Sequence, residues 1–249
     1  RAYYLLTSPL TLVVDPISGV ATSALSRLQS DPARYARLYR RVLRLVYLAI
    51  LPMGAVLFVA PEAVVGVLLG DQWDETVPVL RWLAIALVCQ PLGSSMSWVY
   101  LSTGRTRRLF RWGVLSSPVV VAGFLAGLPY GPEGVALAYS ISNFVLVLPM
   151  LRLAFRDTPL RVRDVAATLW DALLATVAAG FAAWAAGAAL ADAGPFLRLL
   201  AGIAASLAGF WLCLVLVPGR LADLRDLVRT VRDLAARSPV PSAGGPSTG

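Results

Sequence analysis

The sequence predicts an all-α integral membrane protein, a polytopic helical bundle with seven spans. Three observations predict it. Apolar stretches cover roughly residues 2–26, 42–60, 77–103, 109–128, 134–154, 165–189 and 196–217, and a helix needs about 20 mostly apolar residues to cross a bilayer. The bases fall in clusters, and the clusters occupy every second gap between those stretches. Hydrophobic residues make up 58% of the chain and charged ones 14%, against about a half and a quarter in a soluble domain.

The gaps set the expected orientation. Arg27, Arg34, Arg37, Arg40, Arg41 and Arg44 follow the first stretch. Arg105, Arg107, Arg108 and Arg111 follow the third, and Arg152, Arg156, Arg161 and Arg163 follow the fifth. Arg220, Arg225, Arg229, Arg232 and Arg237 follow the seventh. Only Arg1, Arg81 and Arg198 lie elsewhere. The intervening gaps carry acids instead: Asp71, Asp74 and Glu75, then Glu133, then Asp192. The positive-inside rule therefore places the arginine clusters and the C-terminal tail in the cytoplasm of a cell inner (plasma) membrane protein.

Taken in order, the first span carries Pro9, Asp15 and Pro16. The segment SDPARYARLYRRVLRL comes next. Asp31 suits a helix N-cap, Pro32 the first turn, and Arg34, Arg37, Arg41 and Arg44 share one face. It reads as an amphipathic helix on the inner leaflet. The second span holds Pro52. Beyond it, Glu62 in APEAVVGVLLG is expected at the outer surface capping a short helix, and Trp73 in GDQWDET anchors at headgroup level. The third span holds Arg81 near its outer end and Gln90 before Pro91. The fourth holds Pro118, and the fifth Asn143 and Pro149. Proline removes a backbone donor and kinks a helix, so these five spans suggest a bundle with a cavity. Spans six and seven form a further hairpin. In span six Ala179, Ala183 and Gly187 recur every four residues and permit close helix contact.

These boundaries give a five-span lobe over 1–156, an additional transmembrane hairpin over 157–217, a cytoplasmic amphipathic helix over 218–237 and a disordered tail over 238–249. Leu221, Leu224, Val228, Val231 and Leu234 form the apolar stripe of the tail helix. The final twelve residues are rich in Pro, Gly and Ser.

Every base is arginine, and there is no histidine. Imidazole metal sites and His-dependent nucleophile pairs are therefore excluded. No catalytic residue, metal or cofactor is expected. The net charge of +8 is spread over membrane loops, which points to anionic headgroups of membrane lipids rather than to nucleic acid. Cys89 and Cys213 lie at different depths of their spans and are expected unpaired.

Polar groups at membrane depth are costly and face a cavity or a partner. Counted from the outer end at 1.5 Å per residue, Asp15 lies roughly 18 Å, Gln90 roughly 20 Å and Asn143 roughly 14 Å deep. All three are candidates to line a polar cavity, against a reading in which they only tie helices together. Arg81 is a fourth candidate, poised to contact phosphate or to snorkel to the interface.

Several strings resemble a known family. RAYYLLTSPLTLVVDPISGVATSALSRLQSDPARYARLYRRVLRL looks like the helix and basic loop midway through polysaccharide and O-antigen flippases of the Wzx type. These are lipopolysaccharide biosynthesis proteins of the multidrug/oligosaccharidyl-lipid/polysaccharide (MOP) exporter superfamily. APEAVVGVLLGDQWDETVPVLRWLA, YLSTGRTRRLFRWG and YGPEGVALAYSISNFVLVLP resemble successive turns and helix entries of the same family. The resemblance covers about 1–156 and weakens over 157–217. It implies the C-terminal lobe of a two-lobed transporter whose N-terminal lobe lies upstream of Arg1. It implies alternating access that moves polyprenyl-pyrophosphate-linked oligosaccharide from the inner to the outer leaflet, with partners among other polysaccharide-assembly proteins. The competing readings are a drug exporter of the same superfamily and a non-transporting scaffold or enzyme of glycan assembly. The enzyme reading lacks a catalytic carboxylate cluster at a membrane face.

Overall fold

The structure is a computed structural model that describes residues 2–190 and 193–216. The segments expected as an amphipathic helix, 218–237, and as a disordered tail, 238–249, lie outside the described residues. Every regular element among the described residues is helical. They are α1 (Ala2–Ser26), α2 (Pro32–Val59), α3 (Pro61–Leu68), α4 (Thr76–Ala86), α5 (Gln90–Ser102), α6 (Thr106–Gly127), α7 (Gly131–Phe155), α8 (Val162–Ala189) and α9 (Pro195–Leu216), with short 3-10 turns before α4 and between α6 and α7. The molecule is an integral membrane helical bundle. By length and composition, four stretches among the described residues can cross a bilayer, or five when α4 and α5 count as one broken span. One of those stretches, Thr106–Phe155, contains both α6 and α7, which fold back on each other.

α2 is the central helix. Its first turn is built as the sequence suggests: Asp31 accepts a bond from the Arg34 amide at 3.0 Å, and Pro32 opens the helix. The expected inner-leaflet helix over 31–44 is corrected here. Those residues continue without a break into the second span. Tyr35, Tyr39, Val42 and Leu43 are buried, so this face packs into the bundle instead of lying on lipid. α1, α4 and α5 pack around one part of α2, and the α8–α9 hairpin packs around another.

Polar links cross this core between aromatic and small hydroxylic side chains. Tyr35 and Tyr39 pair with Ser102 and Ser95 of α5, each at 2.9 Å. Trp98 of α5 donates its indole N–H to Ser18 of α1 at 2.8 Å. Each bond gives a partner to a polar group packed within the bundle.

Of the prolines within predicted spans, Pro91 coincides with a break. α4 and α5 meet at 42°. Pro91 has no N–H to offer the preceding turn, and the amides of Leu87, Val88 and Cys89 reach back only three residues. The Val88 carbonyl accepts instead from the Tyr47 hydroxyl of α2 at 2.9 Å. α2, α6 and α7 run on through Pro52, Pro118 and Pro149.

The α6–α7 hairpin is built differently. Gly127 lies so close to α7 that an added Cβ would stand 2.6 Å from the Gly134 carbonyl oxygen. Gly131 makes the turn with φ +71°, a conformation that costs glycine little. Phe124 and Tyr139 stack at 6.1 Å. Within α8–α9, Ala179 and Ala183 are buried as the four-residue spacing suggests. The close approach comes from Gly209 of α9, where a Cβ would sit 2.8 Å from that of Ala182.

Loop contacts define the two ends of the bundle. At one end Gln29 bonds the Ser102 carbonyl. Arg105 donates to the carbonyls of Arg156 and Asp157 at 2.9 and 3.3 Å, and Arg108 pairs with Asp157 at 3.1 Å. The loops after α1, α5 and α7, which hold Arg27, Arg105, Arg156 and Arg161 and adjoin the rest of the first three arginine clusters, thus meet at one end. At the other end Arg81 pairs with Glu62 at 2.7 Å and Trp82 donates to Glu133 at 3.0 Å.

Candidate functional site

The α4–α5 break positions the site. It exposes the start of α5 at the middle of the broken span, and Gln90 is the first residue there. Asn143 stands at the middle of α7 and Ser116 at the middle of α6. These midpoints converge on a cleft of about 360 Å³ between α5, α6 and α7. Gln90 donates its amide to the Tyr139 hydroxyl at 3.3 Å, and Asn143 donates to the Tyr139 backbone carbonyl at 2.9 Å. Ser94, Ser116, Trp112 and the buried thiol of Cys89 complete most of the lining. Irregular backbone at membrane depth is tolerated where it lines a cavity or is buried in protein, and the break at Gln90 does line one.

Two of the four sequence candidates, Gln90 and Asn143, are therefore brought together around Tyr139. The other two are placed elsewhere. Asp15 is exposed on α1, one turn before Ser18, and is absent from the lining of the cleft. Arg81 sits on α4 at the acid-bearing end, where it pairs with Glu62. Glu62 lies in the first turn of α3, and the N-cap of that helix, Ala60, makes no side-chain capping bond. The role of Glu62 in the structure is to pair with Arg81.

Tyr139, Trp112 and Ser116 were not singled out from the sequence. Tyr139 carried a usable signal, since it precedes Asn143 by four residues and so shares its helix face. Ser95, which follows Gln90 closely, turns the other way and is spent on Tyr39.

A second, larger cleft of about 660 Å³ lies toward the acid-bearing end, on another side of α7. Trp82, Tyr130 and Glu133 line its polar rim. A third, of about 370 Å³, lies between α2, α3 and α9 and is almost wholly apolar, with Pro52, Leu68 and Leu199 among its walls.

These features define a multi-pass helical membrane protein with a partly polar cleft, free of charged side chains among the described residues, beside the break between α4 and α5. Comparison with known proteins gives that class a biological setting. Residues 1–78 match the family described as "Polysaccharide biosynthesis protein". Over 153 residues the chain is 23% identical to the "Lipopolysaccharide biosynthesis protein WzxC" of Escherichia coli (strain K12). That match takes in 57% of this chain and 30% of the relative, so the chain spans less than a third of the length of the curated protein it matches. No solved structure matches it. Both matches are thus to proteins described as taking part in polysaccharide or lipopolysaccharide biosynthesis.

Proposed function

We propose that this chain is part of a flippase that moves polyprenyl-pyrophosphate-linked oligosaccharide from the inner to the outer leaflet of the cell inner membrane. The observation that carries this reading is the match to polysaccharide-biosynthesis proteins on a bundle whose broken helix opens a polar cleft at mid-depth. A transporter needs such a site, and broken helices are a recurring way to build one. In this reading the arginine-rich end is cytoplasmic, and its bases also hold anionic lipid headgroups.

Asp15 enters as a candidate of a second kind. An exposed carboxylate partway along a spanning helix needs water or a partner, so its face of α1 borders a water-filled path or a further part of the protein. Arg81 and Glu62 form an exposed ion pair at the end that this reading makes the outer one. The chain works as a transporter rather than an enzyme, with its motion a rocking of one helical lobe against another.

The test is reconstitution of the full-length protein in liposomes and measurement of labelled polyprenyl-pyrophosphate sugar passing between leaflets. Transfer above protein-free liposomes is expected, and a lower rate in Asp15→Asn would place that carboxylate in the path or its coupling. Absence of transfer for every lipid-linked sugar tried would sink the flippase reading in favour of a drug exporter or a scaffold of glycan assembly.

A further inference from the structure

The cleft at Gln90 has a chemical character that narrows what it can hold. Among the described residues, none of its lining side chains is a base or a carboxylate. A pyrophosphate drawn to this depth would need cations or a dense set of donors to replace its water, and no arginine is among the described lining residues. What it offers is two carboxamides and two serine hydroxyls, from Gln90, Asn143, Ser94 and Ser116, and the indole of Trp112, set against an apolar wall of Val120, Leu146, Val147 and Met150.

The hydrogen-bond inventory points the same way. A carboxamide has two N–H donors and a carbonyl acceptor. Gln90 and Asn143 each commit one amide donation within the protein, to the Tyr139 hydroxyl and the Tyr139 carbonyl. Each thus retains a carbonyl oxygen and a second N–H among the described residues. Ser116 donates to the Gly113 carbonyl at 3.3 Å and keeps its acceptor lone pairs. This mixture of donors and acceptors matches a ligand whose own groups both donate and accept, as sugar hydroxyls do. The indole of Trp112 adds an apolar face against which the C–H side of a pyranose ring can pack. The volume, about 360 Å³, is at the low end of the roughly 300–1,000 Å³ of small-molecule sites, so it suits a short run of sugar rings and not a long glycan.

We propose that the α5–α6–α7 cleft takes the uncharged sugar portion of the substrate next to its lipid anchor, and that the pyrophosphate is held outside this cleft. The assignment rests on the lipid-linked glycan reading of the preceding subsection. It adds a division of labour: Gln90 and Asn143 read the glycan, and other groups bind the charged linker.

The experiment uses the full-length protein in liposomes, with Cys89→Ala and Cys213→Ala to remove the native thiols of this chain and Ser116→Cys to place one in the cleft. The rate of maleimide labelling at position 116 is followed with two probes. One is polyprenyl pyrophosphate carrying a neutral trisaccharide, and the other is the same lipid without sugar. The sugar-bearing lipid is expected to slow labelling and the bare lipid to leave it unchanged. Adding Gln90→Leu and Asn143→Leu is expected to weaken that protection about tenfold in apparent Kd, the scale of two lost neutral hydrogen bonds. Equal protection by both lipids, or protection by neither, overturns the assignment without reliance on any further variant. Leaflet-to-leaflet transfer is measured in the same liposomes. Transfer without sugar-specific protection overturns the cleft assignment alone. Protection without transfer supports the cleft and overturns transport.

Discussion

The bundle around α2 and the α6–α7 hairpin solve the same packing problem in two ways. Around α2, large side chains fill the interior and their polar tips are tied across helices, as with Tyr39 to Ser95 and Trp98 to Ser18. Between α6 and α7 the backbones themselves approach, with Gly127 against Gly134, and most of α6 stays exposed, including Phe110, Leu115 and Leu125. Lipid tails are as apolar as leucine, so burial alone does not drive helices together in a bilayer. Hydrogen-bonded aromatic wedges make one region dense, and close glycine contact makes the other thin. The polar cleft forms at the seam between them, where α5 of the dense region faces the thin hairpin.

That contrast is open to direct attack. Trp98→Ala, in the dense region, is expected to cost about 3–5 kcal/mol, seen as a large fall in Tm in detergent. Trp112→Ala, on the half-exposed hairpin, is expected to cost far less. Equal losses would mean the two regions are not packed differently. Next in size, Gly127→Ala is expected to cost about 1–3 kcal/mol by overpacking. Gly113→Ala on the same helix meets no atom within 4 Å and should leave Tm unchanged or raise it. A pair of matching effects would remove close approach as the hairpin's glue. Tyr47→Phe deletes the bond to the Val88 carbonyl, and a loss of about 1 kcal/mol is expected, with little change in expression. The smallest effect belongs to Arg108→Ala. Its ion pair with Asp157 is well exposed on both sides, and such pairs contribute about 0.2–1 kcal/mol before screening. Any Tm difference should vanish at high salt.

Hydropathy made most of the helices legible because each long apolar run has only one way to satisfy its backbone in lipid. The run expected over 165–189 is α8 nearly to the residue, and α1 matches the first run. The α2 entry was misread because its arginine stripe suggests a surface helix. Its other face, Tyr35 and Tyr39, decides the matter by finding Ser102 and Ser95. Depth along a span grouped Asp15 with Gln90 and Asn143, but depth says nothing about which neighbour a face meets. Only the packing of α5 against α7 separates the pair that converges on Tyr139 from the carboxylate that does not. Trp112, the largest side chain in the cleft's lining, has nothing in its sequence position that sets it apart from the chain's other tryptophans.

The bond from Tyr47 to Val88 has a mechanical consequence. It pins the elbow of the α4–α5 strut to a helix that contributes nothing to the cleft's lining. Gln90 is two residues past the pinned carbonyl. A small roll of α2 would therefore pull on the elbow and swing the Gln90 amide relative to Tyr139. The position of the Gln90 amide is thus tied to α2, which is not among the helices that line the cleft.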